Sequence, residues 1–158
     1  MAKIIYYPMK LLEKIKKELI SALKARDKLK AGVLKVLLAE IKNKEISKRP
    51  LCLEESDIKD VIAKEIKDRE EGIRIYKGAN ILDRVERLEK EISILRVFLP
   101  LLSELEISNL IEEGIAALHA SSESDMGKVL GFVMKRARGQ IDSDIVKELI
   151  LNKVKDLH

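Results

Sequence analysis

The residues best suited to bind a ligand lie between positions 125 and 144, a stretch that contains three glycines and four basic residues. Six of them form a candidate nucleic-acid-binding site: Gly127, Lys128, Gly131, Lys135, Arg136 and Arg138. Lys128, Gly131, Lys135 and Arg138 are three, four and three residues apart, so they share one helical face. Gly127 and Arg136 lie beside that row. Two glycines four residues apart on an exposed helical face cost about 1 kcal/mol each relative to alanine, so we expect a function for them.

Two interpretations of these glycines are open. A face without side chains lets a neighbouring helix approach closely, and the cations around it also suit an anion or a nucleic acid. One surface could serve both purposes, and the sequence does not decide between them. The other side of the same predicted helix carries an apolar stripe of Met126, Val129, Leu130, Val133, Met134 and Ala137.

The positive charge of the chain is unevenly spread. Residues 1–50 hold 14 Lys and Arg against 5 Asp and Glu, whereas residues 97–120 hold 4 acidic residues and no Lys or Arg. The chain as a whole carries a formal charge of +4. Clustered cations are typical of a phosphate-rich partner, although lysine-rich helices are commonly only solvated surfaces.

Composition excludes several classes of protein. The chain has 158 residues, 46% of them hydrophobic and 37% charged, which is typical of a globular domain. No apolar run approaches the roughly 18–20 residues that span a bilayer, so we expect no membrane segment and a cytoplasmic location. Cys52 is the single cysteine, which excludes an intrachain disulfide and a cysteine-rich zinc site.

Helical periodicity runs through almost every segment, and no alternating strand pattern bounded by turns is present. The sequence therefore predicts an all-α fold, with an N-terminal bundle of about four helices followed by a three-helix tail domain. The predicted divisions are a lead-in over residues 1–9, a helical bundle over 10–99 and the tail over 100–158.

Local signals set the helix ends. Asp27 is a predicted N-cap, and Ser103 with Glu106 matches a capping box. The serines of residues 121–124 are expected to cap the sixth helix, Gly139 to end it, and Asp142 to cap the seventh. Gly78 and Asn80 are predicted turn residues that tolerate positive φ, while Leu23 and Leu82 are predicted to face inward.

The run Asp125-Met-Gly-Lys-Val-Leu-Gly-Phe-Val-Met134, followed by Gly139 and Asp142, is similar to the closing motif of the GatB/YqeY family. The resemblance extends from about Leu11 to Val154. Further similarity lies in Leu38-Ala-Glu-Ile-Lys-Asn43, in Lys64-Glu-Ile-Lys-Asp-Arg-Glu70 and in Leu99-Pro100. The family consists of small all-helical proteins that are similar to the C-terminal tail of the B subunit of the tRNA-dependent amidotransferase.

The chain also departs from the family pattern. The family usually has proline where Lys135 stands, and an arginine and a second glycine where Gln140 and Ser143 stand. Gln140 cannot replace the charge of that arginine. A phosphate contact there would have to move to Lys135 or Arg136.

The resemblance implies a tRNA-binding accessory module whose contacts are mainly to phosphates and RNA shape. The alternative is a protein-interaction module in which the glycine face docks a partner helix, from an amidotransferase subunit or a translation-related protein. A carbon–nitrogen ligase activity with glutamine as amido donor is the least favoured function. No catalytic residue, cofactor or metal ligand is predicted. A phosphate-binding loop is not predicted either, since Gly127 and Lys128 are followed by Val129 rather than by serine or threonine.

Overall fold

The computed structural model describes residues 9–155, and within that range the chain is all-helical without a strand. The predicted all-α class is confirmed. The chain divides into two compact units, the first ending at Leu99 and the second beginning at Pro100. The predicted lead-in of residues 1–9 lies outside the described residues except for Met9, which is partly buried and precedes the first helix.

The first unit contains four helices: α1 (Lys10–Lys24), α2 (Lys28–Lys48), α3 (Glu55–Gly78) and α4 (Leu82–Arg96). Their buried faces form one core cluster that includes Ile15, Leu34 and Ile62, each with no exposed surface. The predicted cap of α2 is confirmed, because the Asp27 carboxylate accepts a hydrogen bond from the Lys30 backbone N–H at 3.0 Å. This bond satisfies one of the amides that the first turn of a helix leaves unpaired.

The inward orientation predicted for two leucines is wrong. Leu23 is 49% exposed and Leu82 is 64% exposed. Both stand at the end of a helix, where periodicity continues but the neighbouring helices no longer cover the position. The turn after α3 also differs from expectation, because Asn80 has positive φ while Gly78 is the last residue of the helix.

The second unit contains three helices and a short 3₁₀ turn: α5 (Glu104–Leu118), the turn (Glu123–Asp125), α6 (Met126–Ala137) and α7 (Ser143–Lys155). The predicted capping box of α5 is confirmed: the Ser103 hydroxyl accepts from the Glu106 backbone at 3.3 Å, and the Glu106 carboxylate accepts from the Ser103 backbone at 2.8 Å. A second core cluster holds this unit together and includes Ile111, Val133 and Ile150.

Candidate nucleic-acid interface

The apolar stripe of α6 positions the candidate site. Val129 and Val133 have no exposed surface and Ala137 is 2% exposed, and all three belong to the core of the second unit. Met126 and Leu130 are partly buried against the same core. The stripe predicted from the sequence therefore faces inward, and this orientation turns the opposite side of α6 to solvent.

Contact between α5 and α6 depends on a glycine that the sequence analysis did not single out. Gly114 is buried on α5, and a Cβ placed on it would lie 2.9 Å from Cδ1 of Phe132 and 3.4 Å from Cγ1 of Val129. A distance of 2.9 Å is shorter than real Cβ contacts, so the Phe132 ring occupies the space that a side chain would need. In the sequence, Gly114 is only a glycine within a helical apolar pattern, and helices also tolerate single glycines that have no role in packing.

The two glycines of α6 have the opposite surroundings. Gly127 and Gly131 are exposed, and a Cβ placed on either would meet no other atom within 4 Å apart from its neighbours along the helix. Among the described residues, then, neither glycine is needed for a neighbouring helix to pack closely. Lys128 and Lys135 are exposed on the same helix. We call the surface formed by Gly127, Lys128, Gly131 and Lys135 the open face of α6.

The charges around the open face are only weakly compensated. Lys128 Nζ lies 3.2 Å from Asp125 Oδ1 and keeps 70% of its side chain exposed. Lys135 forms no ion pair with any residue that the structure describes. Exposed pairs of this kind contribute about 0–1 kcal/mol, so an incoming phosphate can compete for Lys128 at small cost.

Arg136 lies beside the open face and has two contacts. Its guanidinium lies 3.6 Å from Oε2 of Glu113, and it also stands 5.0 Å from the centre of the Phe132 ring. Both contacts are weak at an exposed position, and 60% of the arginine side chain stays exposed. Arg136 is therefore still accessible to an anion.

Arg138 does not continue the helical row in which the sequence placed it. Helix α6 ends at Ala137, and Arg138 has a left-handed backbone with φ 45° and ψ 51°. Gly139 follows with φ 77°, in the position just past the C-cap where a glycine commonly stops a helix, so the predicted helix end at Gly139 is confirmed. Arg138 remains exposed, at the C-terminal end of the open face rather than on it.

Gln140 has a structural role that its residue type did not reveal. Its side-chain amide donates to the Pro100 carbonyl at 3.0 Å, and the backbone carbonyl of Gln140 accepts from the Leu102 backbone N–H at 2.8 Å. These two bonds fasten the segment after α6 to the start of the second unit.

The loop before α6 is organised by an aspartate, and the predicted serine caps are wrong. Asp125 Oδ2 accepts from the Ser121 backbone N–H and from the Ser122 hydroxyl, each at 3.2 Å. The Ser121 bond is the largest influence that lowers the pKa of the Asp125 carboxyl below its ordinary value, and Lys128 and Ser122 add to it. The 3₁₀ turn precedes α6 directly, which removes the open position that a serine would cap. Asp142 immediately precedes α7, and its carbonyl accepts from the Val146 backbone at 3.2 Å.

Comparison with known protein families identifies the type of chain. The family model described as Yqey-like protein matches residues 12–154. The chain belongs to the YqeY-like family. The resemblance inferred from residues 125–142 and the shorter motifs is therefore confirmed at the level of the family, whose match includes both units.

Fungal proteins are among the relatives. The chain is 35% identical over 113 residues to "Altered inheritance of mitochondria protein 41, mitochondrial" of Lachancea thermotolerans, an alignment that covers 70% of this chain and 60% of that protein. A protein of the same name from Pyrenophora tritici-repentis is 26% identical over 143 residues, with 88% of this chain and 78% of the relative covered. An uncharacterized protein of Schizosaccharomyces pombe is 38% identical over 86 residues, which cover 54% of this chain and 69% of that protein. The chain thus spans about three-fifths of the Lachancea protein.

Three further features concern residues 9–155. No cluster of three or more His, Cys, Asp or Glu side chains in that range could hold a metal ion. None of the helices described is both long and apolar enough to cross a bilayer. Cys52 is exposed between α2 and α3.

Proposed function

We propose that this YqeY-like protein is a tRNA-binding accessory module that contacts RNA phosphates through the open face of α6. The observation that carries the proposal is the free space over Gly127 and Gly131, combined with exposed cations beside it. A phosphate backbone can approach the helix there as closely as its main chain allows, with Lys128 and Lys135 on the same face. Both lysines can then contact phosphates without first losing a strong partner.

The chemistry of the open face favours phosphate over base recognition. The whole chain has three Tyr, two Phe and no Trp, so few aromatic side chains are present on which bases could stack. The Phe132 ring already fills the space beside Gly114 and lies 5.0 Å from the Arg136 guanidinium. We therefore expect affinity that depends on charge and RNA shape and discriminates little between base sequences.

Binding of a fluorescently labelled tRNA at low salt tests the proposal. The variant Lys128→Ala/Lys135→Ala should bind about tenfold or more weakly, because two phosphate contacts are removed. The matched control is Lys67→Ala/Arg74→Ala, which removes two exposed cations, also seven residues apart, from α3. Undetectable binding by the unmodified protein, or equal losses in the two variants, would contradict the proposal.

A second candidate function follows from the same open space, namely docking of a partner helix from an amidotransferase subunit or a translation-related protein. A helix depends mainly on the space over the glycines, whereas a phosphate can use that space but is bound mainly by the cations beside it. Gly131→Leu should therefore abolish capture of a protein partner while tRNA affinity changes less than in the double lysine variant. A variant that loses tRNA affinity through Gly131→Leu alone would count against this distinction.

The location and the enzymatic class are part of the proposal. We propose action in the cytoplasm; the fungal relatives carry mitochondrial names, so fractionation of cells that express the tagged chain would decide between the compartments. We propose no carbon–nitrogen ligase activity. Purified protein supplied with misacylated tRNA, ATP and glutamine should form no amidated product, and measurable turnover would overturn this part of the proposal.

A further inference from the structure

The first unit has an uncovered surface on the outward side of α2. Toward the core, α2 buries Ala31, Val33, Leu34, Leu37 and Ile41. On the opposite side, five residues follow alternating steps of four and three: Gly32, Val36, Ala39, Asn43 and Ile46. We call these five residues the outer seam of α2. The alternation is the a and d spacing by which one helix pairs with another in a coiled coil.

All five residues of the outer seam are exposed. Val36 is 49% exposed and Ile46 is 50% exposed, and a Cβ placed on Gly32 would meet no other atom within 4 Å apart from its neighbours along the helix. Burial of aliphatic surface is worth about 25 cal/mol per Å², so α2 leaves stabilisation unused on this side. The small side chains of Gly32 and Ala39 let a second helix approach closely.

Three lysines lie along one edge of the outer seam. Lys28, Lys35 and Lys42 recur every seven residues, and Lys35 and Lys42 directly precede the a-type residues Val36 and Asn43. In a coiled coil these are the g positions, whose charges determine which partner helix is accepted.

The lysines are available to a partner. Lys28 and Lys35 form no ion pair with any part of the chain between residues 9 and 155. Lys42 Nζ lies 2.6 Å from Glu45 Oε2, but the two side chains are 59% and 42% exposed and such a pair contributes little. On the other edge, Val33 is buried, and the partly exposed Glu40 accepts a hydrogen bond from the Asn43 side chain at 3.4 Å. Three lysines therefore stand against one carboxylate next to the seam, and the net charge there is positive.

We propose that the outer seam of α2 docks an acidic amphipathic helix of a partner protein. Its apolar residues would cover Val36 and Ile46, and its glutamates or aspartates would face Lys28, Lys35 and Lys42. A phosphate gains no binding free energy from contact with valine and isoleucine. The apolar a and d residues of a partner helix gain it by burying these side chains. The open face of α6 lacks this feature, because its glycines and lysines are interrupted by no exposed aliphatic residue.

A synthetic helical peptide of three heptads tests the proposal, with leucine at a and d and glutamate at e and g so that it does not pair with itself. The full-length protein should bind this peptide and not the matched peptide with lysine at e and g. Lys28→Glu/Lys35→Glu should weaken binding of the acidic peptide about tenfold or more and create binding of the basic one. Val36→Ser should weaken binding of the acidic peptide without a change in charge.

The matched control is Lys17→Glu/Lys24→Glu, in which two exposed lysines of α1, also seven residues apart, are reversed. It should retain binding of the acidic peptide. No binding by the unmodified protein, or equal weakening in both double variants, would overturn the proposal.

Two further outcomes would replace the proposed occupant. If Lys28→Glu/Lys35→Glu loses tRNA affinity while peptide binding is unaffected, the seam is an RNA contact. If the unmodified protein is a dimer that Val36→Glu dissociates, the seam pairs with a second copy. Since the peptide experiment concerns α2 and the tRNA experiment concerns α6, failure of one proposal is distinguishable from failure of the other.

Discussion

The two sides of α6 differ in what a glycine nearby does. On the packed side, Gly114 of the adjoining helix makes room for the Phe132 ring, and no side chain could be added without a shift. On the open side, Gly127 and Gly131 leave space that nothing within the described residues fills. Packing explains the glycine that lies against a neighbour, and the two glycines that face solvent beside exposed lysines are the ones for which we propose an external ligand.

The largest effect on the free energy of unfolding is expected when an aspartate is placed on the buried side of α6 and compared with one on its open face. Val133→Asp places a carboxylate where no surface is exposed, and burial of an unpaired charge should destabilise the second unit by about 4 kcal/mol or more. Gly131→Asp adds the same group to the open face and should change the unfolding free energy by less than about 1 kcal/mol. Urea titrations of both variants measure the difference, and similar midpoints would break the comparison.

Substitution by alanine separates the buried glycine Gly114 from the exposed glycine Gly131 by the sign of the change in unfolding free energy. Gly114→Ala should lower the free energy of unfolding by about 1 kcal/mol, because steric strain against Phe132 exceeds the gain in helix propensity. The additional substitution Phe132→Leu should recover stability by vacating the space. A Gly114→Ala variant that is more stable than the unmodified protein would show that the ring moves aside without cost.

On the open face, substitution of a glycine by alanine should stabilise the protein rather than destabilise it. Gly131→Ala meets no atom, so only the conformational term remains, and the unfolding free energy should rise by up to about 1 kcal/mol. Its urea midpoint should exceed that of the unmodified protein. A lower midpoint would indicate that the glycine is needed for the fold, contrary to the role assigned to it.

The smallest expected effect concerns the carboxylate at the edge of the open face. Because the pKa of Asp125 is lowered in the folded state, its contribution to stability is present above the ordinary aspartate pKa of about 3.9 and is lost as pH falls through the folded value. Asp125→Asn should abolish this part of the acid dependence. Urea midpoints of the two proteins should therefore converge at low pH, and a constant difference would contradict the assignment.

Helix identity and several helix ends were accessible from the sequence. Asp27 and Ser103 precede apolar periodic segments, and their capping bonds depend on residue types alone, so both predictions are confirmed. The family was also recognised from the motif that starts at Asp125.

Tertiary context determined what the sequence could not show. Leu23 follows the apolar period of α1 but extends past its neighbours, so periodicity predicted burial that is absent. Arg138 continues the three-four spacing of α6, yet the chain turns into the left-handed region there. Gly114 and Gly131 are both glycines within helices, and only the position of Phe132 distinguishes their roles.

The salt dependence of tRNA binding tests the central claim about the open face most directly. Each phosphate contact adds close to one unit to the slope of log affinity against log salt concentration. Lys128→Ala/Lys135→Ala should therefore reduce the slope by about two, and Lys67→Ala/Arg74→Ala should leave it unchanged. Parallel lines for the unmodified protein and the α6 variant would show that the open face does not contact RNA.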